Sequence, residues 1–253
     1  MRLSIPSLSF SYDDISAVFL DKDGTLLDSH FYWGNIILQR SRTLSLHYGL
    51  HESFQPLLCR AMGLDPNTFR LLPQGPIALV DRLTVADITT HFLLTLSVPA
   101  DIDTILHLFK EADALLEPDL PSTIHPLPYS LEFLSHIPAQ LKLAIITSDS
   151  INNTNIFIRK FCPHQIPNIL VIGRESCPMP KHSGGPAKYA ADLLDVSITN
   201  CLVIGDSPMD FEMATNSGAH HLLVSTGQLP SKDLHTHTSL IVSSLNPSNF
   251  HFV

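Results

Sequence analysis

Five short, continuous apolar runs constrain this chain more than any other feature. They are Ile15–Leu20 (ISAVFL), Leu141–Thr147 (LKLAIIT), Ile169–Ile172 (ILVI), Cys201–Gly205 (CLVIG) and His221–Ser225 (HLLVS). Each is four to seven residues long and rich in β-branched residues. Runs of that length fit strands buried on both faces, which occur where helices cover both sides of a parallel sheet. Helical stretches fall between them, at Tyr129–His136 and Pro186–Asp195. The alternation predicts an α/β fold built on a doubly wound parallel sheet.

The middle of the chain has a different period. Ile102, Ile105, Leu106, Phe109, Ala112 and Leu116 recur every three or four positions and form one stripe of a helix. Thr84 followed by Asp87 predicts a capping box ahead of Ile88 and the run His91–Leu96. Gly63 is placed to end a helix over Glu52–Met62. Pro66, Pro73, Pro76 and Pro99 mark turns, and Pro118, Pro121, Pro126 and Pro128 form a stiff return linker. The expected organisation is an α/β core of residues 1–28 and 125–253, with a helical domain of residues 29–124 inserted after the first core strand. Beyond Gly227 the chain turns Ser-, Thr- and His-rich, and only one short strand, Leu240–Val242, is expected there.

Composition removes several function classes. The 24 acidic residues outnumber the 15 basic ones, for a net charge of -9, which argues against nucleic acid as a partner. With 44% apolar residues the chain is not a disordered one. No apolar run approaches the roughly 18 residues of a membrane span, and Met1–Pro6 lacks the apolar core of a secretory signal. Cys59, Cys162, Cys177 and Cys201 contain no Cys-x-x-Cys pair, so neither a zinc site nor a disulfide framework is expected. They read as reduced thiols in a cytoplasm. His235 and His237 have no partner cluster in the sequence and read as surface residues.

Chemistry concentrates in Val18-Phe19-Leu20-Asp21-Lys22-Asp23-Gly24-Thr25-Leu26-Leu27-Asp28. A hydrophobic strand runs into two aspartates that flank a lysine. In an extended chain, period two puts Asp21 and Asp23 on one side and Lys22 on the other. Gly24 then permits a sharp turn and close backbone approach. In an open α/β sheet this is the carboxyl edge of a strand, where ligands bind.

This segment resembles motif I, DxDGT, of the haloacid dehalogenase superfamily. Three later segments resemble the family's other motifs, in order. Ala144-Ile145-Ile146-Thr147-Ser148-Asp149 fits the motif II strand that ends in Thr or Ser. Lys181 fits the motif III lysine, with Lys188 as a rival nearer motif IV. Val203-Ile204-Gly205-Asp206-Ser207-Pro208-Met209-Asp210 matches motif IV, GDxxxD, and Ala214 with Gly218-Ala219 looks like the helix end that follows it. The resemblance covers most of the chain outside the insert. It implies a Rossmann-like core carrying a helical cap of the C1 type, as in phosphoglycolate phosphatase-like members. Two departures stand out. The proline of the family's K-P pattern precedes Lys181 here, in Pro180-Lys181-His182, and Lys22 replaces the apolar residue usual between the aspartates. Basic residues at that place occur in capless sugar-bisphosphate phosphatases with a zinc loop. The unclustered cysteines and the large insert fit that subgroup poorly.

The resemblance implies a phosphatase that works through an aspartyl-phosphate. Asp21 is then the nucleophile, and Asp23 the general acid and base. A carboxylate attacking a phosphate dianion is repelled, by about 4 kcal/mol for unit charges 4 Å apart at an effective dielectric near 20. Four aspartates therefore call for a cation, and hard oxygen ligands select Mg²⁺. The implied ligands are Asp21, the backbone carbonyl of Asp23, Asp206 and Asp210. Lys181 adds positive charge. Gly24, the Thr147 hydroxyl, and the amides of Thr147 and Ser148 serve the phosphate. Each of these has a plain structural alternative: Thr147 as a turn residue, Asp206 as a helix N-cap, Asp210 as a first-turn charge favoured by the helix dipole. His30, Tyr32, Trp33 and Arg40 lie just past motif I and are candidates for substrate contact, or else for packing of the cap. The expected partner is a small phosphorylated metabolite, with no nucleic acid and no membrane, bound by a monomer or homodimer. The alternatives are a phosphomutase of the β-phosphoglucomutase type and a catalytically silent binding protein. A haloacid dehalogenase proper lacks the second aspartate, so Asp23 counts against it.

Overall fold

The structure is a computed structural model that describes residues 1–77, 79–162 and 169–253. Its chain divides into two compact units, Met1–Asp28 with Pro126–Val253, and Ser29–His125. The first unit begins with β1 (Leu3–Ile5), β2 (Phe10–Tyr12) and β3 (Ala17–Leu20). The second contains α1 (Ser29–His47), α2 (Gln55–Ala61), β4 (Leu64–Asp65), β5 (Arg70–Leu71), α3 (Arg82–Thr95), α4 (Ile102–Leu116) and α5 (Leu120–Thr123). The first then resumes with α6 (Ser130–His136), β6 (Lys142–Ile146), α7 (Ile151–Phe161), β7 (Ile169–Ile172), α8 (Gly185–Leu193), β8 (Cys201–Gly205), α9 (Pro208–Ser217), β9 (His220–Val224), α10 (Ser231–Leu234), β10 (Ile241–Val242) and β11 (His251–Phe252).

The five apolar runs all become neighbours in one parallel sheet of order β10-β9-β8-β3-β6-β7. Every residue of β3 and β8 is buried, which is why these segments read as unbroken apolar runs. From β3 the chain builds outward through β6 and β7, then crosses to β8 on the other side. That reversal makes a topological switch point beside β3, where open α/β sheets bind ligands. Leu20 lies opposite Ile145 on one side and Ile204 on the other. The in-step register brings Asp21, Thr147 and Asp206 to the same sheet edge. On one face, Phe19, Ala144, Ile146 and Val203 pack against Ala187, Ala190, Ala191, Met213 and Ala214 of α8 and α9. Alanines let those helices sit close. Burying a side chain the size of Phe19 stabilises by about 1.5–3 kcal/mol.

Both chain ends join a second sheet that the sequence reading does not foresee. It is antiparallel, of order β11-β1-β2, with Leu3 opposite Phe252 and Tyr12. α10 likewise falls in the stretch expected to lack regular structure.

The second unit is mainly helical around Ile37, Leu44, Leu58, Met62, Val85, Leu93, Ile105 and Phe109. The α4 stripe matches, with Ile105, Phe109 and Ala112 buried. Other local expectations need correction. The cap of α3 is Asp81, whose carboxylate accepts from the Thr84 amide at 2.7 Å, so Thr84 lies inside the helix rather than starting it. An ionised oxygen also favours the positive end of the helix dipole, which gives Asp81 the advantage. The stretch Glu52–Met62 splits into a 3₁₀ turn at Glu52–Phe54 and α2 (Gln55–Ala61), with Pro56 in its first turn, while Gly63 follows with φ +102°. A small β4–β5 hairpin interrupts the helices, with Leu64 paired to Leu71.

Candidate active site

β3 delivers Asp21 and β8 delivers Asp206, each immediately beyond the strand's last residues. Asp21 keeps its amide on the Ile204 carbonyl at 2.9 Å, so its backbone is still tied to the sheet. Asp210 comes from the first turn of α9. The carboxylates of Asp21, Asp206 and Asp210 are all buried, and one oxygen of each lies within 4.8 Å of the others. Lys181, from a 3₁₀ turn at Lys181–Ser183, pairs with Asp21 Oδ1 and reaches Asp210 Oδ1 at 2.6 Å. Lys188 sits exposed on α8, so of the two lysines Lys181 is the one at the carboxylates.

The alternatives for Asp206 and Asp210 separate here. Ser207, not Asp206, caps α9. Asp210 completes a capping box, its Oδ2 accepting from the Ser207 amide at 3.1 Å and hydroxyl at 2.6 Å. Asp210 thus holds a helix terminus with one oxygen and Lys181 with the other. Asp206 is left to face Thr25, whose hydroxyl donates to it at 3.2 Å.

Glycines make the room. Gly24 has φ +87°, and a Cβ built there would sit 2.4 Å from Asp206 Oδ2. At Gly227 it would sit 1.6 Å from the same oxygen, and at Gly205 2.0 Å from Asp210 Cγ. Thr226 ties its loop to the aspartate turn by donating to the Gly24 carbonyl at 2.6 Å.

The lysine between the aspartates departs from the extended-chain expectation. β3 ends at Leu20, and residues beyond it fold into a turn in which the amides of Leu26 and Leu27 both donate to the Lys22 carbonyl. The alternation of sides therefore stops. Lys22 Nζ meets Asp23 Oδ1 at 2.6 Å and Asp149 Oδ2 at 3.1 Å, with only 1% of its side chain exposed. One oxygen of Asp23 thus faces Lys22, while the charge of Asp23 still bears on Asp21.

Thr147 is buried, and its hydroxyl oxygen accepts from the Asp149 amide at 3.0 Å, leaving its own hydrogen to donate. Its amide is different from expectation: it donates to the Ile172 carbonyl at 2.9 Å, closing the sheet edge, and so is not a phosphate donor. Ser148, next along, is exposed.

Burial dominates the electrostatics. It raises Asp21 from an ordinary 3.8 to about 7, with the charges of Asp210 and Asp23 adding to it and Lys181 opposing. Asp206 is raised well above the carboxylate range by burial, then by Asp21 and Asp210. Burial also raises Asp23, against the pull of Lys22. Burial would lower both lysines, but the carboxylates beside Lys181 and Lys22 raise them instead. Among the described residues the site thus sets Lys181 against the buried carboxylates of Asp21, Asp206 and Asp210, whose hard oxygens suit a divalent cation.

The four cap candidates all lie in the helical unit. His30 accepts from the Leu71 amide at 3.0 Å and lies 2.8 Å from Arg70 Nη2. Tyr32 is buried edge-on to Trp33, which packs against the helical core. Arg40 gives both arms to Asp113 at 2.9 Å and lies over Phe109. Residues the sequence reading passed over include Asp149, Thr25, Thr226 and Gly227. For Asp149 the signal was present, two positions beyond Thr147.

Comparison with known families places a model described as haloacid dehalogenase-like hydrolase on residues 15–218. The fold is similar to a predicted phosphoglycolate phosphatase from Haemophilus somnus 129pt, with TM-score 0.70, 17% identity and coverage of 92% of this chain and 96% of that one. It is also similar to a HAD-superfamily hydrolase of subfamily IA, variant 1, from Geobacter sulfurreducens PCA, at TM-score 0.61 and 18% identity, covering 92% and 94%. A family IA, variant 3 hydrolase from Entamoeba histolytica HM-1:IMSS gives TM-score 0.63 at 18% identity, covering 92% and 94%. Comparison with curated proteins finds no match.

Proposed function

The chain belongs to the haloacid dehalogenase-like hydrolases, and we propose that it is a Mg²⁺-dependent phosphatase acting on a small phosphate monoester, of the phosphoglycolate or sugar-phosphate type. The observation that carries this reading is the buried Asp21 carboxylate, paired with Lys181 at the switch point of the sheet and grouped with Asp206 and Asp210.

In the first half-reaction a carboxylate oxygen of Asp21 bonds to phosphorus as the bond to the leaving oxygen breaks, and Asp23 gives that oxygen its proton. In the second, Asp23 takes a proton from water as the water oxygen bonds to phosphorus, and the bond to Asp21 breaks. Lys181 balances the charge of Asp21 and Asp210. The Thr147 hydroxyl and the Ser148 amide serve the phosphoryl oxygens, whereas the Gly24 amide is spent on the Leu27 carbonyl and the Gly24 carbonyl on Thr226. Asp21, Asp206, Asp210 and the carbonyl of Asp23 would hold Mg²⁺, which when bound supplies positive charge against the phosphate and the crowded carboxylates. In the helical unit, taken here as the cap, both ring nitrogens of the buried His30 face Leu71 and Arg70, and Arg40 is committed to Asp113. A cytoplasmic setting belongs to the same proposal.

The test is a panel of phosphorylated metabolites with purified protein and Mg²⁺, reading inorganic phosphate. Phosphate release that EDTA stops and Asp21→Asn abolishes supports the reading. Isomer formation without phosphate release would replace it with a mutase, and ligand binding without turnover would replace it with a silent binding protein.

A further inference from the structure

Lys22 is a buried cation that the proposed chemistry does not use. It stands between two carboxylates, Asp23 at 2.6 Å and Asp149 at 3.1 Å. Asp149 is itself fixed from several sides. It precedes α7, and its Oδ1 accepts from the Ser150 amide at 2.7 Å and from Asn153 Nδ2 at 3.0 Å. The Asp149 amide donates to the Thr147 hydroxyl and its carbonyl accepts from the Arg174 amide at 3.0 Å. A chain of contacts therefore runs from the start of α7 through Asp149 and Lys22 to the Asp23 carboxylate.

Burying a lysine with two carboxylates is costly unless geometry compensates, and replacing such a group with apolar residues is often neutral or stabilising. Stability alone gives little reason for this arrangement. Orientation gives a better one. Asp23 follows the last strand residue by three positions and lies in a turn, where its side chain lacks the support a strand gives. Proton transfer needs the carboxylate within hydrogen-bond reach of the reacting oxygen, and displacement of about 1 Å costs on the order of a hundredfold in rate.

We propose that Lys22 and Asp149 are positioning residues, which hold one oxygen of Asp23 so that the other is aimed for proton transfer in both half-reactions. This rests on the phosphatase reading above, and assigns the departure from an apolar residue at position 22 a role within it. Lys22 touches no reacting atom, and its effect passes wholly through Asp23.

The experiment compares Lys22→Met, Asp23→Asn and the double variant, with Lys22→Met/Asp149→Asn as a version that leaves no facing carboxylate pair if Lys22→Met alone fails to fold. Circular dichroism establishes folding. Kinetics use p-nitrophenyl phosphate and phenyl phosphate, whose leaving oxygens differ in their need for a proton. Lys22→Met is expected to lower kcat by between about 10-fold and the 10²–10⁴-fold that general acid–base catalysis supplies, with KM little changed. The loss in kcat/KM should be larger for phenyl phosphate, and adding Lys22→Met to Asp23→Asn should cost nothing more. Parental kcat in a folded variant lacking Lys22 would overturn the proposal, as would a multiplicative loss in the double variant or equal losses for the two esters. If Asp23→Asn itself keeps parental kcat, the acid–base assignment fails instead, which separates the two ideas.

Discussion

Lys181→Met removes the cation paired with Asp21 and Asp210 while keeping most of the side chain's length. Lys181 is 7% exposed and reaches Asp210 at 2.6 Å. Oxygens of Asp21, Asp206 and Asp210 lie within 4.8 Å of one another, so each ionised pair repels by about 3.5 kcal/mol at an effective dielectric near 20. Breaking a buried pair by removing one partner costs about 3–5 kcal/mol. At about 2–4 °C per kcal/mol for a domain of this size, the metal-free protein should melt roughly 6–20 °C lower at pH 8. The sign follows from the carboxylates. Without Lys181, which opposes the rise at Asp21 and Asp206, those two carboxyls are raised further, so the variant binds protons more tightly and its deficit shrinks as pH falls. Differential scanning calorimetry at pH 5 and pH 8, with EDTA and with Mg²⁺, reads all of this. Mg²⁺ should recover more in the variant than in the parent. A fall of less than about 2 °C at pH 8, or equal falls at both pH values, would refute the charge argument.

Two further predictions follow from the same group. Because Asp21 is raised from 3.8 to about 7, the folded metal-free protein holds a proton that the unfolded chain releases, so stability declines as pH rises across that window. The Mg²⁺-induced gain in Tm should accordingly be larger at pH 8 than at pH 5.5, and a pH-independent gain would count against the carboxylates as ligands. Gly227→Ala places a Cβ 1.6 Å from Asp206 Oδ2, so Asp206 or its loop must move. Mg²⁺ affinity measured by calorimetric titration should fall about 10–100-fold, the range seen when groups supporting a metal ligand are disturbed. Unchanged affinity would remove Gly227 from the site.

The sheet was legible because strands buried on both faces leave unbroken apolar runs, as at Val18–Leu20 and Cys201–Gly205. The edge location of Asp21, Thr147 and Asp206 then follows from parallel register alone. The β1–β2–β11 sheet was not legible, because its strands are two or three residues long and β11 joins β1 across nearly the whole chain. Side-chain direction after β3 was missed for a related reason. The period-two argument needs an extended backbone, and the turn at Lys22–Leu27 ends it. Gly227 carries no local signal at all, since its meaning lies in a carboxylate from another strand. Asp81 shows that the residue nearest an apolar pattern is not always the cap, and the backbone amide it reaches decides.

Covalent capture at Asp21 tests the central claim most directly. Acid quenching of Asp23→Asn during turnover of a phosphate ester, followed by borohydride reduction, converts an aspartyl-phosphate to homoserine. Peptide mass spectrometry should find that change at position 21, dependent on substrate and Mg²⁺ and absent from Asp21→Asn. Homoserine at Asp23, Asp206 or Asp210, or turnover with none at position 21, would contradict the account.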